Sequence, residues 1–210
     1  MFAHYGINKS SGEGMKAEAH VKRDSATQQL DQELRASHAG ETGAVFIYRG
    51  ALAANILMKP FRSNSTYSRL QSFATQHLKT EQSHVALFGN ELPHFRGSFL
   101  LLFWIVAGFV TGFLPTLLGA NWFYYTIYCV ERFVDDHYEC QCTHITTLGA
   151  QYRVIVATFR QCQQEEQHHR DEALNAMTRP PNKVMKVWGA MVDIGSKLAV
   201  SVAKKYKHSH

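Results

Sequence analysis

Leu78–Phe88 reads LKTEQSHVALF, and its reading decides the fold. The stretch contains no proline or glycine. It lies in a longer run in which Leu70, Ala74, His77, Glu81, His84 and Phe88 recur at steps of four and three, the spacing of one helical face. Such a face is expected to be buried, yet it carries a carboxylate and an imidazole, Glu81 and His84, three residues apart. A surface helix with a chance Glu-x-x-His is the plain alternative for a single copy. The chain holds a second copy, and an unpaired Glu stands ahead of each.

The second copy lies in QQEEQHHRDE at 163–172, which contains two overlapping frames, Glu165/His168 and Glu166/His169. The surrounding stripe separates them. Stepping outward from Glu166 meets Tyr152, Ile155, Phe159, Cys162, His169 and Ala173, mostly apolar, whereas stepping from Glu165 meets Gln151, Val154, Thr158, Gln161, His168 and Glu172, mostly polar. Glu166 and His169 are therefore predicted to face inward and Glu165 outward. Glu166→Ala should then abolish metal loading and Glu165→Ala should largely spare it.

The unpaired acids sit on two further helices. The first is predicted over 25–58, with Leu30, Leu34, His38, Glu41, Val45, Tyr48 and Leu52 as its stripe. Small residues Ala39, Gly40, Gly43 and Ala44 would let a neighbouring helix approach closely. The second is predicted over 121–147 and presents Tyr124, Tyr128, Glu131, Asp135, Tyr138, Cys142 and Ile145. Breaks are predicted at Pro60 with the following 63–65 SNS, where Ser65 caps a helix running to about Pro93, and at Gly149 before a helix over 150–177.

Four helices bearing Glu41, then Glu81 with His84, then Glu131, then Glu166 with His169 can join these six side chains at the centre of a bundle. This is the ligand pattern of ferritin-like di-iron or di-manganese proteins. Four buried carboxylates alone would repel or take up protons; two divalent cations neutralise them and leave both imidazoles uncharged. Carboxylate and imidazole suit Fe(II) or Mn(II). Salt-bridged structural acids would need basic partners, and none of the four stripes has a Lys or Arg.

Composition fits this picture. The chain has 210 residues, 45% of them hydrophobic and 19% charged, enough for one domain with a full core. The four cysteines form no CxxC pair, which argues for a reducing compartment over a disulfide scaffold, and leaves zinc at Cys140 and Cys142 a weak reading. Residues 1–24 show no periodicity and are predicted to be mobile. They are not rich in arginine and contain acids, unlike a transit peptide. The remaining 25–207 form the helical domain. From Gly97 to Val130 no residue is charged, and the core at 99–119 is long enough to cross a bilayer. A hairpin buried in a soluble bundle is the other reading, and the glycines and Pro115 favour a bent segment. Pro180 and Pro181 open a last helix with the stripe Val184, Val187, Trp188, Met191, Ile194 and Leu198, followed by KKYKHSH. It suits an anionic interface, the side of the bundle, or a solvated end.

The segments LRASHAGETGAVFIYRG (34–50), EQSHVALF (81–88), FWIVAGFVTGFLPTLLG (103–119), VERFVDDHY (130–138) and EEQHHRDEAL (165–174) resemble the demethoxyubiquinone hydroxylase family of ubiquinone biosynthesis. The resemblance covers about residues 27–203, and HAGE-GA followed by IYRG is its most specific part. The loop at 58–66 is longer than the family's usual one, and the C-terminal helix matches poorly. The resemblance implies an all-α, ferritin-like four-helix bundle with an added apolar membrane-associated segment at about 97–130 and a C-terminal amphipathic helix. It implies two iron ions on Glu41, Glu81, His84, Glu131, Glu166 and His169, with His137 and Tyr138 as catalytic residues near them and His38 supporting the ligands.

The activity so implied is ring hydroxylation of demethoxyubiquinone by O2, with NADH as ultimate electron donor. The implied setting is the matrix side of the mitochondrial inner membrane, with a lipid-binding partner protein and no nucleic acid. An iron-storage protein of ferritin type would share the ligands but has no use for the apolar segment; a quinol oxidase of the alternative-oxidase type shares the chemistry but fits HAGE and IYRG less well. A single crossing by 99–119 would put the two halves of the ligand set on opposite sides of the membrane. A monotopic protein, entering one leaflet and returning, is therefore predicted.

Overall fold

The computed structural model describes residues 10–91 and 97–205, and every regular element among them is helical. The helices are α1 (Ser10–Leu57), α2 (Asn64–Ala86), α3 (Leu101–Leu118), α4 (Ala120–Leu148), α5 (Arg153–Ala176) and α6 (Lys183–Lys205). The first helix starts at Ser10, not at residue 25. Residues 15–24, MKAEAHVKRD, are mostly good helix formers, and a helix can extend without an apolar stripe. Ser63, rather than Ser65, caps α2, its hydroxyl accepting the Thr66 N–H at 3.3 Å. A π-helical turn, Leu87–Glu91, follows α2; the end expected near Pro93, like residues 1–9 and 206–210, lies outside the described residues.

The bundle proper is α1, α2, α4 and α5, with α1 antiparallel to α2 and α4, and α5 antiparallel to the same two. Asn55 of α1 donates to the Tyr67 carbonyl of α2, Ser37 and Gln141 join α1 to α4, and Asp135 of α4 accepts from Gln163, Gln167 and Arg170 of α5. Two apolar clusters fill the interior. One contains Tyr48, Leu70, Ala74, Phe123, Ile127 and Ala173; the other contains Leu30, Leu34, Phe88, Ile145 and Phe159. On each of the four helices the acidic ligand candidates fall between the two clusters. Water is thus excluded from both ends of the site.

The remaining two helices pack on the outer side of α1 and α4. The helix α3 runs parallel to α1 with the backbones in direct contact. A Cβ added at Gly108 would lie 2.2 Å from the Gly43 carbonyl oxygen, and one at Gly112 would lie 1.8 Å from that of Ile47. The expected close approach at Gly43 is thus met by α3. Gly119, at φ 136°, then reverses the chain into α4 in a conformation that favours glycine. The apolar segment is a broken one, as its glycines suggested. It is not a buried hairpin: the 18 residues of α3 form a helix apolar and long enough to cross a membrane, yet only 28% of that length is buried.

Of the settings left open for the last helix, the side of the bundle is not where its long stripe lies. Val184, Val187, Met191, Ile194 and Leu198 are each 58–64% exposed, so the long apolar stripe faces away from the bundle. Smaller residues lie on the inner side: Gly189 sits against Cys129 and Tyr125, and Ala203 is fully buried. The Trp188 indole N–H donates to Thr126 at 2.9 Å and ties α6 to α4. The helix is apolar on two faces, and only one finds a partner among the described residues.

Candidate metal centre

The six predicted ligands converge. Glu41, Glu81, His84 and Glu166 form one group whose ligand atoms all lie within 4.8 Å of one another; Glu81, Glu131, Glu166 and His169 form a second group by the same measure. All six are buried. The groups share Glu81 and Glu166, so two carboxylates stand between two positions, and each position has its own Glu and its own His. Nδ1 of His84 lies 2.9 Å from Glu166 and 3.5 Å from Glu41. Nδ1 of His169 lies 3.0 Å from Glu166 and 3.2 Å from Glu81.

The donor set fits a pair of cations better than a set of internal salt bridges. Both oxygens of Glu81, Nδ1 of His84 and one oxygen of Glu166 are buried without a hydrogen bond of ordinary geometry. Such orphaned polar atoms are costly unless another ligand meets them. Among the described residues, the ion pairs of the six run to one another and to Glu165, not to a Lys or Arg. Burial, and then the neighbouring Glu166, push the Glu81 and Glu131 carboxyls well above the usual range. Burial would raise Glu166 too, but the adjoining imidazoles of His169 and His84 hold it at about 2. In the protein alone the cluster must keep protons to offset its charge; divalent cations would take their place.

Around these six, Tyr138 donates to Glu41 and Tyr48 donates to Glu131 at 3.4 Å. Burial, then those same carboxylates, raise both phenols, so each remains a donor. His38 is half-buried near Glu41, whose charge partly counters the lowering of the imidazole by burial. His137 is beside Tyr138 in sequence, and its ring is parallel to that of Phe133 with centroids 5.9 Å apart.

Two residues beside the site make contacts that the sequence did not reveal. Glu165, predicted to face outward, reaches around α5 to Nε2 of His84 at 2.7 Å. His77, read only as part of the α2 stripe, packs its ring 4.1 Å from that of His169 and brings Nε2 to 2.8 Å from Glu172. The Glu-x-x-His spacing of His168 and Glu165, dismissed as the wrong frame, was the available clue that a carboxylate stood there. Cysteine takes part in neither metal-binding group among the described residues.

A cavity of about 340 Å³ opens between α3 and α6. Its walls are largely apolar and include Trp104, Phe133, Val134, Trp188 and Val200. Its floor is Glu41, Glu81 and Glu131, with His137 and Tyr138 at the side. The apolar segment and the C-terminal helix thus frame one passage to the carboxylates.

Residues 28–203 match the family described as ubiquinone biosynthesis protein COQ7. The 3-demethoxyubiquinol 3-hydroxylase of Rhodospirillum rubrum is 30% identical over 179 residues, covering 84% of this chain and 78% of that protein. The mitochondrial NADPH-dependent 3-demethoxyubiquinone 3-hydroxylase of Dictyostelium discoideum is 28% identical over 169 residues, or 75% and 72% of the two chains. Its namesake from Homo sapiens is 27% identical over 184 residues, or 84% and 77%. With the matched region spanning all four bundle helices and their converging acids and histidines, the chain belongs to the COQ7 family of ubiquinone biosynthesis proteins.

Proposed function

We propose that this protein is a membrane-bound di-iron monooxygenase that hydroxylates the ring of a reduced demethoxyubiquinone. The observation that carries the reading is the apolar cavity between α3 and α6, which ends on Glu41, Glu81 and Glu131. An iron-storage site needs access for ions, not a greasy passage wide enough for a ring. The relatives' names supply the substrate class.

Glu41 with His84 would hold one metal and Glu131 with His169 the other, with Glu81 and Glu166 between them. A pair of iron ions held there would supply the redox chemistry that activates O2. One oxygen atom then enters a ring C–H bond and the other leaves as water, with two electrons drawn ultimately from a reduced nicotinamide. The relatives' names specify NADPH, where NADH was expected from sequence; the donor class is the common element.

The chain's own residues set up the reaction. The apolar clusters above and below the acids keep bulk water away. Trp104 and Trp188 bound the passage that admits the ring, while the polyprenyl tail stays against the exposed faces of α3 and α6. Tyr138 fixes Glu41 by donating to it. Nε2 of His137 is buried at the cavity wall without a hydrogen bond, and can hold a ring oxygen. The relatives named as mitochondrial support a mitochondrial setting; the reading adds the matrix side of the inner membrane and a lipid-binding partner that would deliver the substrate.

The test is turnover by the iron-loaded protein in liposomes, using a reduced demethoxyubiquinone analogue and 18O-labelled O2. Mass spectrometry should find one labelled oxygen in the quinone ring, and Glu166→Ala should give none. Iron uptake and oxidation without any quinone product would replace this reading with ferritin-type storage.

A further inference from the structure

Glu165 and Glu166 are adjacent on α5 and serve the same imidazole from opposite sides. Glu166 meets Nδ1 of His84 at 2.9 Å. Glu165, whose side chain is 38% exposed, meets Nε2 of the same ring at 2.7 Å. With a cation in place of the proton at Nδ1, Glu165 would accept from Nε2–H and the Nδ1 lone pair would be directed at the space between Glu41 and Glu166. The other histidine is supported differently. Behind His169 stands the ring of His77, and the surface carboxylate Glu172 pairs with His77 rather than with the ligand. Among the described residues, the polar links between α2 and α5 all run through these ligands or their immediate supports.

We infer that Glu165 is a positioning residue for one of two unequal metal positions: it locks the tautomer and ring angle of His84, while among the described residues no carboxylate is in direct contact behind the imidazole of His169. This rests on the di-metal reading above. A carboxylate hydrogen-bonded behind a ligating histidine fixes the ring and makes it a stronger donor; removing such a partner typically weakens metal binding about 10–100-fold. The loss should fall on the Glu41/His84 position and spare the other. It also reverses the expectation drawn from the stripe, that removing Glu165 would be of little consequence.

The experiment compares the full-length wild type, E165Q and E165A. Each is loaded anaerobically with Fe(II), desalted, and challenged with a chelator while released iron is followed in time. The wild type should hold two equivalents. In E165A one equivalent should leave about 10–100-fold faster, and the second should leave at the wild-type rate. E165Q, whose amide oxygen can still accept from Nε2–H, should fall between them. Melting curves check that all three chains fold, which the surface position of Glu165 favours. Equal acceleration of both equivalents, or release of both at the wild-type rate, would overturn the inference. A wild-type chain that binds no iron would overturn the di-metal reading itself, a different result.

Discussion

His137 shows how a single side chain turns burial into pH dependence. Loss of water around the ring, followed by repulsion from Lys204, lowers the imidazole to about 4 from its ordinary 6.5. Above pH 6.5 the residue is neutral in folded and unfolded chains and adds no pH dependence. As the pH falls from 6.5 toward 4, the unfolded chain takes up a proton that the folded chain refuses, so stability is lost across that window and levels off below it. The loss should be on the order of 2 kcal/mol. Urea unfolding of the wild type and H137Q between pH 4 and 7 checks this: the variant should lose less stability over the range, and parallel curves would show that His137 is solvated. The same scale shows where sequence reasoning was sharp and where it was blunt. Periodicity separated Glu166 from Glu165 correctly, because it reports which third of a helix is buried. It could not report that a glutamate at the edge of that face, with three rotatable bonds, reaches around to a histidine on the next helix.

At the scale of elements, the four ligand helices were legible because each carries one continuous stripe that meets a core. Stripes on α3 and α6 carried less information, since these helices are apolar on more than one side and periodicity cannot say which side is covered. Packing decides it instead. Small residues let α3 sit with its backbone on α1 at Gly108 and Gly112, and they let α6 lie close to α4 at Gly189; the bulky stripes are left outside. Gly112→Ala should therefore destabilise the fold by about 1–3 kcal/mol, the usual cost of overpacking, because its Cβ would overlap the Ile47 carbonyl. Gly195→Ala has open space around the new Cβ and should be neutral, or stabilise by up to about 1 kcal/mol through the lower entropy of its unfolded chain. Thermal melts of the two variants check the contrast; similar values would mean that α3 and α1 are not in backbone contact in solution.

The whole molecule has two unlike sides, and from this its relation to the membrane follows. Leu102, Phe103, Val106, Leu114 and Leu118 lie exposed along α3, with Phe99 just before it, and the stripe of α6 lies exposed beside the same cavity. The opposite side, formed by α2 and α5, carries Lys79, Arg153, Glu165, His168 and Glu172. Were α3 to cross the bilayer end to end, α1 would cross with it, since the two are parallel and in contact from Gly43 to Ile47. That would carry Glu41 and Arg49 through the hydrocarbon. The charges forbid it more strongly than any hydropathy window favours it. On the proposed monotopic reading α3 would lie along the surface instead, its apolar face and that of α6 would enter one leaflet, and all four ligand helices would stay on one side. The predicted outcome is that cysteines placed at Asn64 and Gly149, at opposite ends of the bundle, are labelled by an impermeant reagent from the same face of sealed vesicles. Replacing Val187, Met191 and Ile194 together with serine should weaken vesicle binding, at about 1–3 kcal/mol per side chain withdrawn from lipid, while leaving iron binding intact. Labelling of the two positions from opposite faces would separate Glu41, Glu81 and His84 from Glu131, Glu166 and His169, and neither the topology nor a shared metal centre would survive it.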